Sequence, residues 1–505
     1  MAASLTRLRE LASAPRRPET QQRLRAYLWI SAFFVASRVS YYVAGVRYDT
    51  QTLAQNFQFI DLELLRTRLL ESLFYFHMQP PLQNLIVGVA IKLFPAHYGE
   101  ALHALYMAAG FSAALMLYEL MRRLGVGLAI SVAITVLFIV SPGCILFENF
   151  PMYEYLILWL LLAASLALYE VVERPTFRWC LVLFSLMAGL SFIRSLYHPV
   201  FLLLLAAGLA LYLRPRWKMI MAAAILPLAA VLALYLKNLF VFGAFLSSSW
   251  LGFALATCTT HQLTPGERAA LIQEGKLSEI ADVEAPSYVS QYRRFFPDLK
   301  PTGIPVLDEE FKLVGGSLNT NNIIYLKADP LYRQAARQVL RAYPVAYARS
   351  VMIAWFCYFL PPTDFFQFNE ARVDIREIDR AVNLALFGQF RETTRKGLRA
   401  LRAEGATFSL ALYTGIFLMV GLPFLLVWSA ILLIRQWRSG VVPKERIALL
   451  AFVLLNIIFL MLTTNFLSSF ENNRYRFPSD PLYAALLGVF LERVVQKYKQ
   501  RRTHS

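Results

Sequence analysis

Seven ionisable side chains stand at the ends of long apolar runs: Asp49 in RYDTQ, Glu148 and Glu154 in FENFPMYEY, Arg194 and His198 in RSLYHPV, and Arg474 and Arg476 in NNRYRFP. Charge at membrane depth is expensive and is by default a sign of function. A carboxylate there can take a proton from an attacking hydroxyl or help to hold a metal ion. An arginine offers a planar fork that meets a phosphate with two parallel hydrogen bonds. A base together with cations on a departing phosphate is what transfer from a lipid phosphate to a hydroxyl requires. Each residue also has a plainer reading. Asp49 can be a solvated acid after a helix end, the two glutamates can snorkel to the interface, and the arginines can pair with Glu471, Asp480 or other acids on their own side.

The elements that must position these groups follow from composition. Hydrophobic residues make up 57% of the 505 and charged residues only 16%, which describes a polytopic membrane protein rather than a water-soluble globule. The net charge of +17 collects in short Lys/Arg clusters at the ends of apolar runs, so it reads as a topology signal and anionic-lipid contact, not as a nucleic-acid site. Spans are predicted at 27–46, 101–121, 127–147, 152–172, 177–193, 196–213, 219–236, 408–434, 447–464 and 482–495, with twelve as the upper bound. Placing the N-terminus inside puts Arg122 and Arg123, Arg174 and Arg178, the 214–218 cluster, the 435–446 stretch and the C-terminal tail in the cytoplasm. The shorter apolar runs 82–94 and 351–360 then have to be re-entrant or interfacial, because a span at 82–94 would invert the basic loops that follow it. Three units result: residues 1–236, a transmembrane module with a first outer loop at 47–100; residues 237–407, an extracytoplasmic segment with interfacial helices; and residues 408–505, the last spans with a basic tail.

In the first loop, Leu62, Leu65, Leu69, Leu73 and Phe76 recur every three or four residues, predicting one amphipathic helix in the interface. The stretch FYFHMQPPLQNLIVG follows, and its two prolines force a bend that makes a wall or lid of this segment, with His77 and Gln79 near the lipid headgroup. Trp250 with Ser247, Ser248 and Ser249 can shape a sugar pocket, although an interfacial tryptophan belt is the commoner use. Asp364, Asn369 and Glu370 can line the same pocket or be ordinary loop polarity, and the second reading is preferred. The four cysteines show neither metal spacing nor a disulfide framework, with Cys258 alone in a polar loop. The first apolar run follows basic residues and lacks a small-residue cleavage pattern, so a retained span is expected. No Asn-x-Ser/Thr acceptor occurs, which favours a bacterial inner membrane.

These motifs, in this order, resemble the GT-C superfamily of lipid-phosphate-dependent glycosyltransferases, the group that includes protein O-mannosyltransferases and the lipid A aminoarabinose transferase (glycosyltransferase family 39-like). The resemblance is carried by Asp49 after the first span, by His77, Gln79, Pro80, Pro81 and Leu82, by Ser141 and Pro142 ahead of Glu148 and Glu154, and by Arg474 to Pro478 before the last span. Many members have an acidic pair where Asp49 is followed by Thr50 and Gln51, and Met78 and Gln79 interrupt the His-Pro-Pro element. The resemblance implies an all-α GT-C-like fold and an inverting transfer from a polyprenyl-phosphate-linked sugar to a lipid, glycan or protein acceptor. It further implies Asp49 as base, and Glu148 or Glu154 on the acceptor or on a divalent Mg or Mn ion. Arg194, His198, Arg474 and Arg476 would take the donor phosphate, with His77, Gln79 and Tyr475 in the donor-lipid pocket. The rival class is a lipid or glycolipid transporter or flippase, whose usual internal repeats are not found in this sequence. A non-catalytic envelope scaffold would leave the concentration of outer arginines and acids without a use.

Overall fold

A backbone that crosses hydrocarbon must satisfy its own polar groups, and helices do so within one segment. The computed structural model describes residues 18–389 and 415–503. Among these every regular element is helical, and the one extended pairing is an isolated antiparallel bridge between Phe311 and Leu318. The first half contains α1 (Pro18–Val43), α2 (Leu82–Leu93), α3 (Tyr98–Arg123), α4 (Leu128–Ile139), α5 (Pro142–Glu148), α6 (Tyr153–Glu173), α7 (Phe177–Ile193), α8 (Pro199–Tyr212) and α9 (Trp217–Phe242). A polar lobe follows with α10 (Leu251–Cys258), α11 (Ile323–Ala342) and α12 (Pro344–Tyr358). The chain ends in α13 (Ile416–Ser439), α14 (Lys444–Leu467) and α15 (Asp480–Thr503).

Among the described residues five helices are long and apolar enough to cross a bilayer: α3, α6, the Arg214–Phe242 stretch containing α9, α13 and α14. A sixth is admitted if α4 and α5 form one span bent by 57°. That bend lies where Pro142 opens α5 and the Ser141 hydroxyl caps it by accepting from the Cys144 amide. The count falls below the ten to twelve expected. Helices α7 and α8 have only 17 and 14 residues, against about 20 for a span, while α1 and α15 are long but more polar.

Helix α6 is apolar on all sides and sits at the centre, packed against α3, α7 and α14, as an all-round hydrophobic helix must be. Helices α1 and α15 pack on α4, and α8 packs on α9. The run at 82–94 is α2, whose 12 residues rise about 18 Å, well short of the hydrocarbon core. The single amphipathic helix expected at 62–76 is instead two short helices, Leu62–Thr67 and Leu69–Phe74, broken at Arg68. Both halves pack on α2, and Leu65 and Leu69 close on Gly88, where an added Cβ would lie 2.2 Å from Leu69 Cδ1. The predicted span at 408–434 is described only from α13 onward, its first residues lying outside the described ones.

The lobe has its own core, in which Phe253 lies among the rings of Tyr292, Tyr325 and Tyr332. Cys258, expected in a polar loop, is buried at the end of α10 in this lobe. Polar clamps tie the lobe to the first loop. Lys312 Nζ donates to the carbonyls of Ala54 (3.2 Å) and Asn56 (2.5 Å), and the amides of Leu313 and Val314 donate to Asp61 Oδ2. Asn321 Oδ1 accepts from the amides of His77 (2.8 Å) and Met78 (3.1 Å), while its Nδ2 donates to the Tyr75 carbonyl at 3.1 Å. Asn321 is buried, so truncating it strands two amides and a carbonyl. Asn321→Ala is expected to lower stability by about 2–4 kcal/mol, read as a fall in the thermal unfolding midpoint of the detergent-solubilised protein.

Candidate functional site

Between the lobe and the adjoining helix ends lies a cavity of about 650 Å³, within the usual size of a small-molecule site. The bundle contributes Tyr153 at the start of α6, Arg194 and His198 from the turn between α7 and α8, and Glu471 and Tyr475 from the turn ahead of α15. Local structure sets these positions. Arg194 ends α7 in an extended conformation, and His198 caps α8 by accepting from the Val200 amide on Nδ1 at 3.3 Å, with Pro199 at the first helical position.

Electrostatically the bundle wall is organised around Glu154, which is fully buried. Its Oε1 accepts from Arg474 Nε at 2.5 Å and lies 4.0 Å from Arg194 Nη1, whereas its Oε2 has no hydrogen-bond partner. Arg474 is hydrogen-bonded at all three nitrogens, because Nη1 donates to Glu471 Oε2 at 2.9 Å and Nη2 donates to the Tyr153 hydroxyl at 2.8 Å besides the bond from Nε. Arg194 is not. Its guanidinium stacks over the Tyr475 ring at 4.2 Å and, among the described residues, donates no hydrogen bond. Among the described residues of this wall it is a cation with its N–H groups left for a ligand.

The structure therefore joins Glu154, Arg194, Arg474 and Tyr475 in one cluster and brings His198 and Gln79 to the same cavity. The other predicted residues lie elsewhere. Arg476 is buried, paired to Asp480 Oδ1 at 2.9 Å and donating to the carbonyls of Tyr358 and Leu360, so it braces the entry to α15. Glu148 belongs to a separate buried network, with Arg38 Nε and Nη2 on its two oxygens at 2.9 and 2.7 Å and the Tyr155 hydroxyl at 2.7 Å. The Asp49 carboxylate accepts from the amides of Gln51 and Thr52 and from the Thr52 hydroxyl, capping a short turn of helix, and is not among the cavity-lining groups. His77 Nδ1 meets Ser249 Oγ at 2.7 Å in a buried joint beside the cavity.

A divalent ion is not matched by the donors at Glu148 or Glu154. Both oxygens of Glu148 are engaged by Arg38 and Tyr155, and Glu154 faces two guanidinium groups. Among the described residues no group of three or more His, Cys, Asp or Glu side chains could hold a metal.

Several site residues escaped the sequence reading. Arg38 had a visible signal, a lone arginine inside an apolar run. Asp364, taken as loop polarity, is a buried member of the cavity wall with Arg372 Nη1 at 2.7 Å, and burial pushes its carboxyl up to about 6. The side chains of Asn369 and Glu370 lie outside the described ones. Asp329 and Arg333 of α11 line the lobe wall as an ion pair at 2.9 Å, and burial likewise pushes the Asp329 carboxyl up to about 6. An (i, i+4) acid and arginine on a helix look the same in sequence whether they face solvent or a cavity.

Along one flank of the bundle an apolar groove of about 610 Å³ runs between α8 and α14. The two helices are pinned at one end by Tyr212 donating to the Lys444 carbonyl at 3.2 Å, and at the other by the rings of Phe201 and Phe459 at 4.6 Å. Midway, Gly208 has nothing within 4 Å of where a Cβ would lie. His198 lines both the groove and the charged cavity, so the two adjoin at this residue.

Compared with protein-family models, with curated proteins and with solved structures, the chain finds no match. Function has to be read from these residues.

His77 supplies a test of its placement. Burial pushes its imidazole down from 6.5 to about 3. The unfolded chain therefore takes up this proton first, and the contribution to stability present above pH 6.5 is lost as the pH falls towards 3. The thermal midpoint should drop between about pH 7 and pH 4, and less steeply in His77→Gln than in the parent.

Proposed function

We propose that this chain is an integral membrane glycosyltransferase of GT-C type. In this reading it transfers a sugar from a polyprenyl-phosphate donor to an acceptor hydroxyl, with inversion, on the extracytoplasmic face of a bacterial inner membrane. What supports the reading is an apolar groove that adjoins, at His198, a cavity holding an incompletely paired arginine, an arrangement suited to a molecule with a hydrocarbon chain and a phosphate head.

In the reaction the acceptor oxygen forms a bond to the anomeric carbon. The bond from that carbon to the phosphate oxygen breaks, and polyprenyl phosphate leaves with the electron pair. Arg194 meets the charge that develops on the leaving phosphate, held in direction by the Tyr475 ring and by Glu154. The proton of the acceptor passes to a carboxylate. We assign that role to Asp364, which lines the cavity and whose carboxyl, at about 6, is poised close to neutral pH. Arg474 acts indirectly, by holding Glu154, Glu471 and Tyr153 in place.

The test is turnover of a sugar-labelled polyprenyl phosphate by the protein in nanodiscs, followed by mass spectrometry of membrane glycolipids from cells with and without it. Asp364→Asn should abolish transfer while expression is kept; loss in Asp49→Asn with full activity in Asp364→Asn would return the base to the position implied by the family resemblance. Movement of an unmodified lipid across the bilayer with no new glycosidic product would instead indicate a flippase. Gly208→Phe replaces a helix-destabilising glycine and fills the groove. It should raise KM for a long-chain donor by about tenfold, the equivalent of two methylenes lost from apolar contact, and leave a short-chain prenyl donor unaffected.

A further inference from the structure

The lobe wall of the cavity differs from the bundle wall in its chemistry. Arg333 is partly exposed there and is oriented from behind by Asp329, whose Oδ2 lies 2.9 Å from its Nε. Asp329 is itself fixed, being buried, with Oδ1 accepting from the Gly252 amide at 2.5 Å. The approach is so close that a Cβ on Gly252 would lie 2.1 Å from the Asp329 carbonyl oxygen. The guanidinium is thus ion-paired at its Nε edge, and among the described residues it donates no hydrogen bond.

Three more polar side chains line the same cavity with capacity unused among the described residues: the Trp250 indole N–H, the Gln79 amide and the Glu284 carboxylate. They are linked to the Asp329 corner through the chain. Trp250 lies two residues before Gly252 and stacks on Phe253, and the Ser248 hydroxyl donates to the Met78 carbonyl next to Gln79.

The charge balance decides what such a wall can hold. An oxyanion at Arg333 would have the Asp329 carboxylate directly behind the guanidinium and Glu284 in the same wall, which opposes a second negative group. A hydroxyl both donates and accepts, and a set of donors (Arg333, Trp250, Gln79) mixed with an acceptor (Glu284) suits several hydroxyls on one rigid frame. We infer that the lobe end of the cavity is a carbohydrate-binding subsite, and that the acceptor is a glycan or the sugar portion of a glycolipid rather than a protein side chain. The inference rests on the transfer reading for the word acceptor, but the binding it predicts does not need the donor.

The experiment is saturation-transfer difference NMR on the protein in nanodiscs without donor. The probes are neutral disaccharides (maltose, cellobiose and chitobiose), inorganic phosphate, and a Ser/Thr-containing hexapeptide. Removing Arg333 outright would leave Asp329 buried without a counterion, so the variants are Arg333→Lys, which keeps the charge, and Trp250→Phe, which keeps a ring and deletes the indole N–H. At least one disaccharide should show transfer that weakens about tenfold in each variant, as expected for one lost hydrogen bond to a sugar hydroxyl, and added polyprenyl phosphate should not displace it. Absence of any disaccharide signal, signals unchanged in both variants, or Arg333-dependent binding of phosphate or peptide would each overturn the inference. A protein that binds the disaccharide yet transfers no sugar would overturn the transfer reading and leave the subsite standing.

Discussion

Two carboxylates with no access to water organise this molecule. Glu148 and Glu154 stand six residues apart on either side of the turn that joins α5 to α6, and both are fully buried. An ionised carboxylate in such a medium is tolerable only with a counterion and hydrogen bonds in good geometry. Both counterions come from far away in the chain: Arg38 from α1, 110 positions before Glu148, and Arg474 from the turn before α15, 320 positions after Glu154. The first helix and the last turn are thereby fastened to the same corner of the central helix. Misplacing either would leave a charge in a site that cannot hydrate it, so the requirement selects one docking of three distant segments out of many that apolar packing alone would allow.

The cavity is a consequence of how that requirement is met at Glu154. Arg474 already satisfies Glu154 Oε1 and is held at its other two nitrogens by Glu471 and Tyr153, so Arg194, arriving at 4.0 Å, is left with the attraction of the acid and the faces of two tyrosine rings. A guanidinium held by rings keeps its direction without using up its N–H groups. The lobe completes the enclosure through bonds made mostly to main chain, with Asn321 and Lys312 gripping the first loop and so holding Phe57 and Gln79 in the wall. The walls of the cavity are thus set by buried polar joints at their edges rather than by surface loops.

How much of this was legible beforehand depended on whether a feature is local. The apolar runs, the short helix after Pro80 and Pro81, and the set of acids and arginines that gather near the cavity are written in composition and spacing, whereas the bend at Pro142 interrupts what reads as one span at 127–147. Partner choice is not. The sequence presents Arg474 and Arg476 as equivalents two residues apart, yet one faces Glu154 and the other faces Asp480 and two carbonyls, a difference made by helical rotation and by what packs opposite. The leucine spacing from Leu62 to Phe76 fits one helix or two, because periodicity does not register a break that keeps both halves on the same neighbour. Asp329 and Arg333 resemble a solvent-facing pair until the fold encloses them.

Occupancy by partners separates most of the residues that build this protein from those available to act; Asp364, paired to Arg372 and accepting from Gln389 Nε2, keeps its place on the cavity wall and is the exception. Asp49, Glu148, Arg474 and Arg476 all looked functional by type and position, and in each the charged group is held by partners of its own chain, although Arg476 Nη2 is buried without a partner among the described residues. Arg194, Gln79, Trp250 and Arg333 combine unused hydrogen-bonding capacity with a place on the cavity wall. Neither property is sufficient alone. His77 keeps an unpartnered Nε2, but it is buried away from the cavity, where no ligand atom reaches it and the deficit remains a cost of folding. The two prolines after it explain why that cost is accepted: by turning the chain sharply they send His77 into the joint with Ser249 and leave Gln79, two residues on, facing the cavity.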